Sequence, residues 1–177
     1  NCTGFCVFAV TVNGLPQIDC PAFMEACESD LPVLLDTAYP DGGEYSGTGV
    51  TFDGTNYWFN PAGGVGTYLI TFCYIDPVTL CSNCCEFNFT VYPTPDVECP
   101  DDFVVCIDQT PFALTGATPA GGTYAGAGVS GGVFDPAAAG TGDHVITYTY
   151  TSADGCTGIC EFMITVIEVI VVCPDDM

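Results

Sequence analysis

The chain has 177 residues, with 22 Asp plus Glu, one His and no Lys or Arg, for a formal charge of −22. That inventory excludes nucleic-acid binding by phosphate neutralisation, attraction to an anionic membrane surface, and any Lys or Arg salt bridge within the fold. With 49% hydrophobic and 12% aromatic residues the chain still holds enough apolar surface to build a core, so disorder is excluded too.

Taken in chain order, the elements recur. Cys2-Thr-Gly-Phe-Cys6 leads to Thr11-Val12 and reads as the closing strand of one unit. Cys20-Pro21 and Cys27 then mark a first strand. A glycine-rich turn follows, Pro40-Asp-Gly-Gly-Glu-Tyr-Ser-Gly-Thr-Gly-Val50, and after it Phe59-Asn60-Pro61. Tyr68–Tyr74 and Glu86–Val91 alternate and are rich in β-branched and aromatic residues, the pattern of half-buried strands. From Cys99-Pro100 the same order returns, at an offset of 79 with no gap between Cys20 and Val50. Cys106, Pro119-Ala-Gly-Gly-Thr-Tyr-Ala-Gly-Ala-Gly-Val129 and Phe134-Asp135-Pro136 match their counterparts. So do Val145–Thr151, the pair Cys156 and Cys160, and Glu161–Val166. Cys173-Pro-Asp-Asp repeats Cys99-Pro-Asp-Asp102.

The expected organisation is the last strand of a preceding repeat with its linker over 1–19, repeats over 20–98 and 99–172, and the start of a following repeat over 173–177. Val12 to Cys20 and Val91 to Cys99 are eight residues apart, Val166 to Cys173 seven, which predicts fixed spacing between modules. Gly and Pro punctuate every gap, 21 and 13 in all, and no segment sustains a helical period. Units of about 75 residues with six or seven short strands predict an all-β fold of tandem immunoglobulin-like β-sandwich domains.

Thirteen cysteines point to an oxidising, extracellular setting. A zinc site is disfavoured: the one Cys-x-x-Cys, Cys81 to Cys84, is lost in the second repeat, which has Ile159 in place of Cys84. The longest apolar stretch, Phe162 to Val172, is interrupted by Glu168 and too short to span a membrane. Any export signal or anchor is expected outside these residues.

Cys-Pro-Asp-Asp, the Gly-Gly-Thr-Tyr-Ala-Gly-Ala-Gly-Val turn, Phe-Asp-Pro-Ala-Ala-Ala-Gly, Ile-Thr-Tyr-Thr-Tyr and the closing Gly-Cys-Thr with Ile-Thr-Val resemble the Ig-like repeats of giant secreted surface adhesins of Bacteroidota, the gliding-adhesin type. The likeness covers the second repeat and about half of the first, which departs at Thr51–Trp58 and Asp76–Cys84. It implies secretion, surface display and an adhesive or filament-forming role, and it names no ligand. It also marks Thr37, in Asp36-Thr37-Ala38, as a glycan acceptor ahead of the two N-linked sequons at Asn1 and Asn88.

Candidate chemistry is sparse. Gly128-Val-Ser-Gly-Gly132 fits the G-x-S-x-G hydrolase pattern but lacks the following helix that the motif needs, and the first repeat has Thr51 in place of Ser130. His144, the only histidine, stands where the first repeat has Tyr68 and reads as a strand side chain. No catalytic residue is assigned. Asp96, Glu98, Asp101 and Asp102 crowd one repeat junction, and Glu168, Asp175 and Asp176 the next. Calcium takes six to eight oxygen ligands, so carboxylates from adjoining modules would clamp a hinge. The competing reading is a solvated acidic surface that keeps a fibre soluble. Tyr45, Tyr57, Trp58 and Phe59 offer either an aromatic platform for sugars or core packing, with core packing favoured.

The sandwich also constrains the cystines. If the first and last strands run parallel from the same end, the pairs expected are Cys20–Cys81, Cys27–Cys85, Cys99–Cys156 and Cys106–Cys160, with Cys73–Cys84 bridging the hairpin about Val78. A local Cys156–Cys160 bond is the alternative. The function expected is a structural and adhesive extracellular protein at the cell surface: a disulfide-stapled tandem array forming a fibre or filament. Its partners would be neighbouring repeats of the same chain, with lateral self-association into filaments, a surface or glycan ligand not identified, no nucleic acid and no membrane insertion. The alternative is a carbohydrate- or ligand-binding Ig-like module of a secreted multidomain protein.

Overall fold

The computed structural model describes residues 4–169. The chain divides into two compact units, one ending at Pro93 and the other starting at Thr94. The first holds β1 (Phe23–Cys27), β2 (Val33–Leu34), β3 (Glu44–Ser46), β4 (Val50–Phe52), β5 (Tyr57–Phe59), β6 (Gly66–Ile75) and β7 (Ser82–Tyr92). The second holds β8 (Phe103–Cys106), β9 (Phe112–Ala113), β10 (Thr123–Ala125), β11 (Val129–Ser130), β12 (Val133–Phe134), β13 (Gly142–Thr151) and β14 (Thr157–Ile167). A 3-10 turn at Pro61–Gly63 and a single helical turn, α1 (Pro136–Ala139), are the helical pieces among the described residues.

Both units have the same two sheets. The four-stranded sheet runs β1-β7-β6-β3 in the first unit and β8-β14-β13-β10 in the second; the three-stranded sheet runs β2-β5-β4 and β9-β12-β11. First and last strands are parallel neighbours, and every other pairing is antiparallel. This is the immunoglobulin-like sandwich anticipated from the strand count. Residues 4–18 form no strand, and Phe5, Val7, Val10 and Val12 are exposed. Pro16 is tied to the first unit, its carbonyl accepting from Asn83 Nδ2 at 3.0 Å.

The core follows from the period-2 alternation. Along β6, Ile70 and Phe72 point inward and Leu69 outward; along β7, Phe87, Phe89 and Val91 point inward. Phe59 and Phe89 stack with ring centroids 4.0 Å apart. Phe134, Ile146, Phe162, Ile164 and Val166 make the corresponding core of the second unit. Each fully buried Phe contributes about 2–3 kcal/mol relative to exposure.

The repeated motifs now have physical reasons. In Phe59-Asn60-Pro61 and Phe134-Asp135-Pro136 the Phe is core. The next side chain caps a helical turn, Asn60 accepting from Ala62 N–H and Asp135 from Ala137 and Ala138 N–H, and the Pro is buried at its first position. The second glycine of each Gly-Gly-x-Tyr has no room for a side chain: a Cβ on Gly43 would strike the Phe72 ring, and one on Gly122 the Tyr148 ring. Tyr68 and His144 do the same job at the same place. The Tyr68 hydroxyl donates to the Gly64 carbonyl at 2.7 Å, and His144 Nε2 donates to the Gly140 carbonyl at 2.9 Å.

Four of the expected cystines are corrected. Cys20 bonds Cys85 and Cys99 bonds Cys160, with Cα atoms 6.1 and 5.7 Å apart, so neither Cys20–Cys81 nor Cys99–Cys156 forms. Cys27–Cys85 and Cys106–Cys160 are thereby excluded as well. The cause is register. Phe23 lies opposite Asn88 and Phe103 opposite Ile164, offsets of 65 and 61, which are the sequence separations of the two cystines. The strands are parallel as expected, but the first begins partway along the last. Cys27 and Cys156 are disulfide-bonded, whereas Cys81 and Cys106 are thiols. Cys73 and Cys84 are register partners in β6 and β7 and form the expected cystine, with Cα atoms 4.1 Å apart. Cys2 and Cys173 lie outside the described residues.

Two outcomes check this account. Replacing Cys20 and Cys85 together by Ala should cost about 2–4 kcal/mol in denaturant unfolding, since the bond closes a long loop; an unchanged midpoint would show that the register alone holds the strands. His144→Tyr, which borrows the first unit's solution, should leave stability nearly unchanged, while His144→Ala should cost about 1 kcal/mol. Equal losses in both would place the role of His144 in packing rather than in the loop hydrogen bond.

Candidate functional site

Each unit carries a shallow dent at the same place, over the loop that follows β2 or β9. In the first unit it measures about 240 Å³ and is walled by Asp36, Asp41, Tyr45, Thr55, Asn56 and Tyr57. In the second it measures about 210 Å³, with Leu114, Ala117, Gly122, Tyr124 and Tyr148 in its lining. The floor is built by the repeated tyrosine. Tyr45 Oη accepts from Ala38 N–H at 2.9 Å, and Tyr124 Oη accepts from Ala117 N–H at 3.2 Å, so the hydroxyl pins the loop above the ring. In the second unit Tyr148 adds a second tie, donating to the Pro119 carbonyl at 2.6 Å and accepting from Gly122 N–H at 2.7 Å. Phe72 occupies that position in the first unit, with no such tie.

The dents differ in their walls. In the second unit β11 and β12 meet across Gly131-Gly132, both at positive φ, 56° and 77°, which a two-residue hairpin requires. In the first unit the hairpin is longer, and its loop is organised by Asp53. That carboxylate accepts from Thr55 and Asn56 N–H, both at 2.8 Å, and from Trp58 Nε1–H at 2.7 Å. Hydrogen bonding by Asn56 N–H, then by the Trp58 indole and Thr55 N–H, holds Asp53 below its ordinary value. Tyr45 is pushed up, chiefly because burial disfavours its phenolate; Asp36 and Asp41 add to the effect and the Ala38 hydrogen bond opposes it. The Tyr45 phenol therefore stays protonated at neutral pH.

The four aromatics considered as a sugar platform do not lie on one surface. Tyr45 and Phe59 are buried in the core. Tyr57 shares their side of β5 and packs on Tyr45 and Phe52, with centroids 5.7 and 4.6 Å apart. Trp58, between Tyr57 and Phe59 on the strand, faces the other way, opposite Leu34 and Thr51, with its N–H engaged by Asp53. Tyr57 with Asn56 and Thr55 is what remains for a ligand.

Among the described residues, no group of three or more His, Cys, Asp or Glu side chains comes together as a metal site. Asp96, Glu98, Asp101, Asp102 and Glu168 are exposed and all belong to the second unit. Asp102 is employed otherwise, its carboxylate accepting from Met163 N–H at 2.7 Å and so tying the segment before β8 to β14. Glu98 lies in an isolated bridge with Thr118, as Asp19 does with Tyr39. Asp175 and Asp176 lie outside the described residues. Ser130 is exposed in the β11–β12 hairpin, where a strand-to-helix elbow is absent. Thr37 is exposed on the loop after β2, its hydroxyl 3.7 Å from Met24 Sδ, and its counterpart in the second unit is Gly116. Asn88 is exposed on β7, and Asn1 lies outside the described residues. Sequence reasoning missed the dent because its walls come from a loop and a hairpin that only the folded sheet brings together.

No family model and no curated protein matches the chain. Among solved structures, it is similar to chicken VE-cadherin EC1-2 at 17% identity, over 84% of this chain and 99% of that one, with a TM-score of 0.29. It is similar to Sidekick-1 immunoglobulin domains 1-4 at 12% identity, over 82% of this chain and 49% of that one, with a TM-score of 0.26. For mouse clustered PcdhgC3 EC1-3 the figures are 15%, 82%, 65% and 0.25. The sandwich assignment rests on sheet order and register rather than on these likenesses.

Proposed function

We propose that the chain is a force-transmitting, adhesive segment of an extracellular fibre at the cell surface, built as a tandem array of cystine-stapled Ig-like modules. The observation that carries this reading is the pairing of first and last strands. Tension along the chain enters a unit at β1 and leaves at the end of β7. Because β1 and β7 are parallel, from Phe23 opposite Asn88 to Cys27 opposite Tyr92, that tension shears the whole pairing at once. Cys20–Cys85, at a sequence separation of 65, then carries the load covalently and shields the residues between them; Cys99–Cys160 does the same in the second unit. An extracellular location agrees with the cystines. Absence of Lys and Arg agrees with exposure to trypsin-like proteases. Exposure of Thr37 meets the requirement for an O-linked glycan there.

Single-molecule pulling tests the reading. Under oxidising conditions each unit should release little length; reduction should add about 220 Å for the first unit, the extended span of its sequestered residues. Equal increments with and without reductant would remove the mechanical role. Calcium at Asp96, Glu98, Asp101 and Asp102 is tested separately, by thermal unfolding in calcium and in chelator at equal ionic strength. A calcium-specific rise supports cation clamping, and an equal midpoint leaves screening of the −22 charge as the salt effect.

The second reading, a carbohydrate- or ligand-binding module, is favoured by one observation: the dent of the first unit has a polar wall, Thr55, Asn56 and Tyr57, that the second unit lacks. Glycan-array binding that Tyr57→Ala reduces at least tenfold would support it. Absence of binding leaves the fibre reading alone.

A further inference from the structure

Among the described residues Cys6, Cys81 and Cys106 are thiols, and the latter two stand within the sandwiches at positions whose repeat counterparts are oxidised. Cys106 ends β8 as Cys27 ends β1, yet Cys27 is disulfide-bonded and Cys106 is not. Cys81 precedes β7 as Cys156 precedes β14, yet Cys156 is disulfide-bonded and Cys81 is not. The same two positions thus support cystines in one repeat and carry thiols in the other.

Geometry excludes a bond between the two positions of one unit. Cys27 lies opposite Tyr92 at the far end of β7, while Cys81 stands before the near end of that strand. Cys106, Ile167 and Cys156 repeat the arrangement on β14. Eleven residues of strand separate the two positions, about 36 Å, against about 4–7 Å between the Cα atoms of a cystine. Cys81 and Cys106 are therefore thiols at opposite poles of sandwiches of the same design. Neither is deeply covered: both are half-buried, Cys81 next to the exposed Val78 and Leu80, Cys106 ahead of the exposed turn Asp108–Thr110.

The geometry points to an intermodule cystine that joins modules head to tail, Cys106 at the trailing pole of one copy bonding Cys81 at the leading pole of a second copy. The inference rests on the tandem-fibre reading and names the chemical link between module ends. The step is a thiol–disulfide exchange with glutathione disulfide as oxidant. One thiolate attacks glutathione disulfide and releases one glutathione; the second cysteine attacks the mixed disulfide and releases the other, so two thiols are oxidised and one disulfide is reduced to two thiols. A bond between two different positions makes a heterologous contact, which propagates as an open chain rather than closing as a symmetric dimer.

The test uses the whole chain carrying Cys6→Ser, which removes the exposed thiol at Cys6. Concentrated protein is incubated with glutathione disulfide, as a mixture of isotope-labelled and unlabelled copies. It is then run without reductant and mapped after cleavage at acidic residues. The expected result is a ladder of covalent multimers in which labelled Cys106 peptides are joined to unlabelled Cys81 peptides. Cys81→Ser and Cys106→Ser should each abolish the ladder, and mixing the two variants should restore a covalent heterodimer and nothing larger. Absence of multimers, a ladder that survives either substitution, or Cys106–Cys106 and Cys81–Cys81 pairs at yields equal to Cys106–Cys81 would overturn the inference. Such a failure would leave the pulling result untouched, because Cys81 and Cys106 take no part in the cystines that the pulling measurement reads.

Discussion

The parallel pairing of first and last strands governs each unit. It sets the first and last strands side by side in one sheet, with the chain entering at one end and leaving at the other, and its register decides which cysteines meet. An offset of 65 residues sets Cys20 against Cys85, and an offset of 61 sets Cys99 against Cys160. The same register carries Cys27 and Cys106 to the sheet's far end and leaves Cys81 and Cys156 at its near end. One geometrical fact therefore separates the cysteines into staples within a module and groups at its poles.

The second constraint is chemical. A chain without Lys or Arg has no cationic side chain to satisfy its carboxylates, so the ordered ones turn to N–H and O–H donors. Asp30 accepts from Cys27 N–H, Asp76 from Val78 and Thr79 N–H, Asp135 from the first turn of α1, and Asp143 from the Thr165 hydroxyl. These are short-range ties at turns and strand ends, where backbone donors would otherwise face water. Negative charge thus serves local geometry, while the core is left to aromatic and aliphatic packing.

Much of the fold was legible in the chain because it is written twice. The coincidence of Phe-Asn/Asp-Pro, Gly-Gly-x-Tyr and the paired closing cysteines marks a common sandwich, and alternation in Tyr68–Tyr74 and Val145–Thr151 marks its central strands. The Cys73–Cys84 bond was legible because both residues lie on one hairpin, where distance along the chain is distance in space. Cys20–Cys85 was not, since a parallel register between strands more than sixty residues apart leaves no trace in local spacing. For the aromatic platform the limit was different: adjacency of Tyr57, Trp58 and Phe59 in sequence is opposition in a strand, because successive side chains face opposite sides.

Carboxylates tied to backbone donors also decide how such a surface answers acid. Asp76 is held below its ordinary value by the N–H groups of Thr79 and then Val78, as Asp53 is by its own loop. A depressed carboxyl group stabilises the fold above its unfolded-state value, and that contribution fades only as the pH falls through its lower folded value. The turns at Asp53 and Asp76 therefore keep their carboxylate ties through mild acidification and lose them only when the pH falls further.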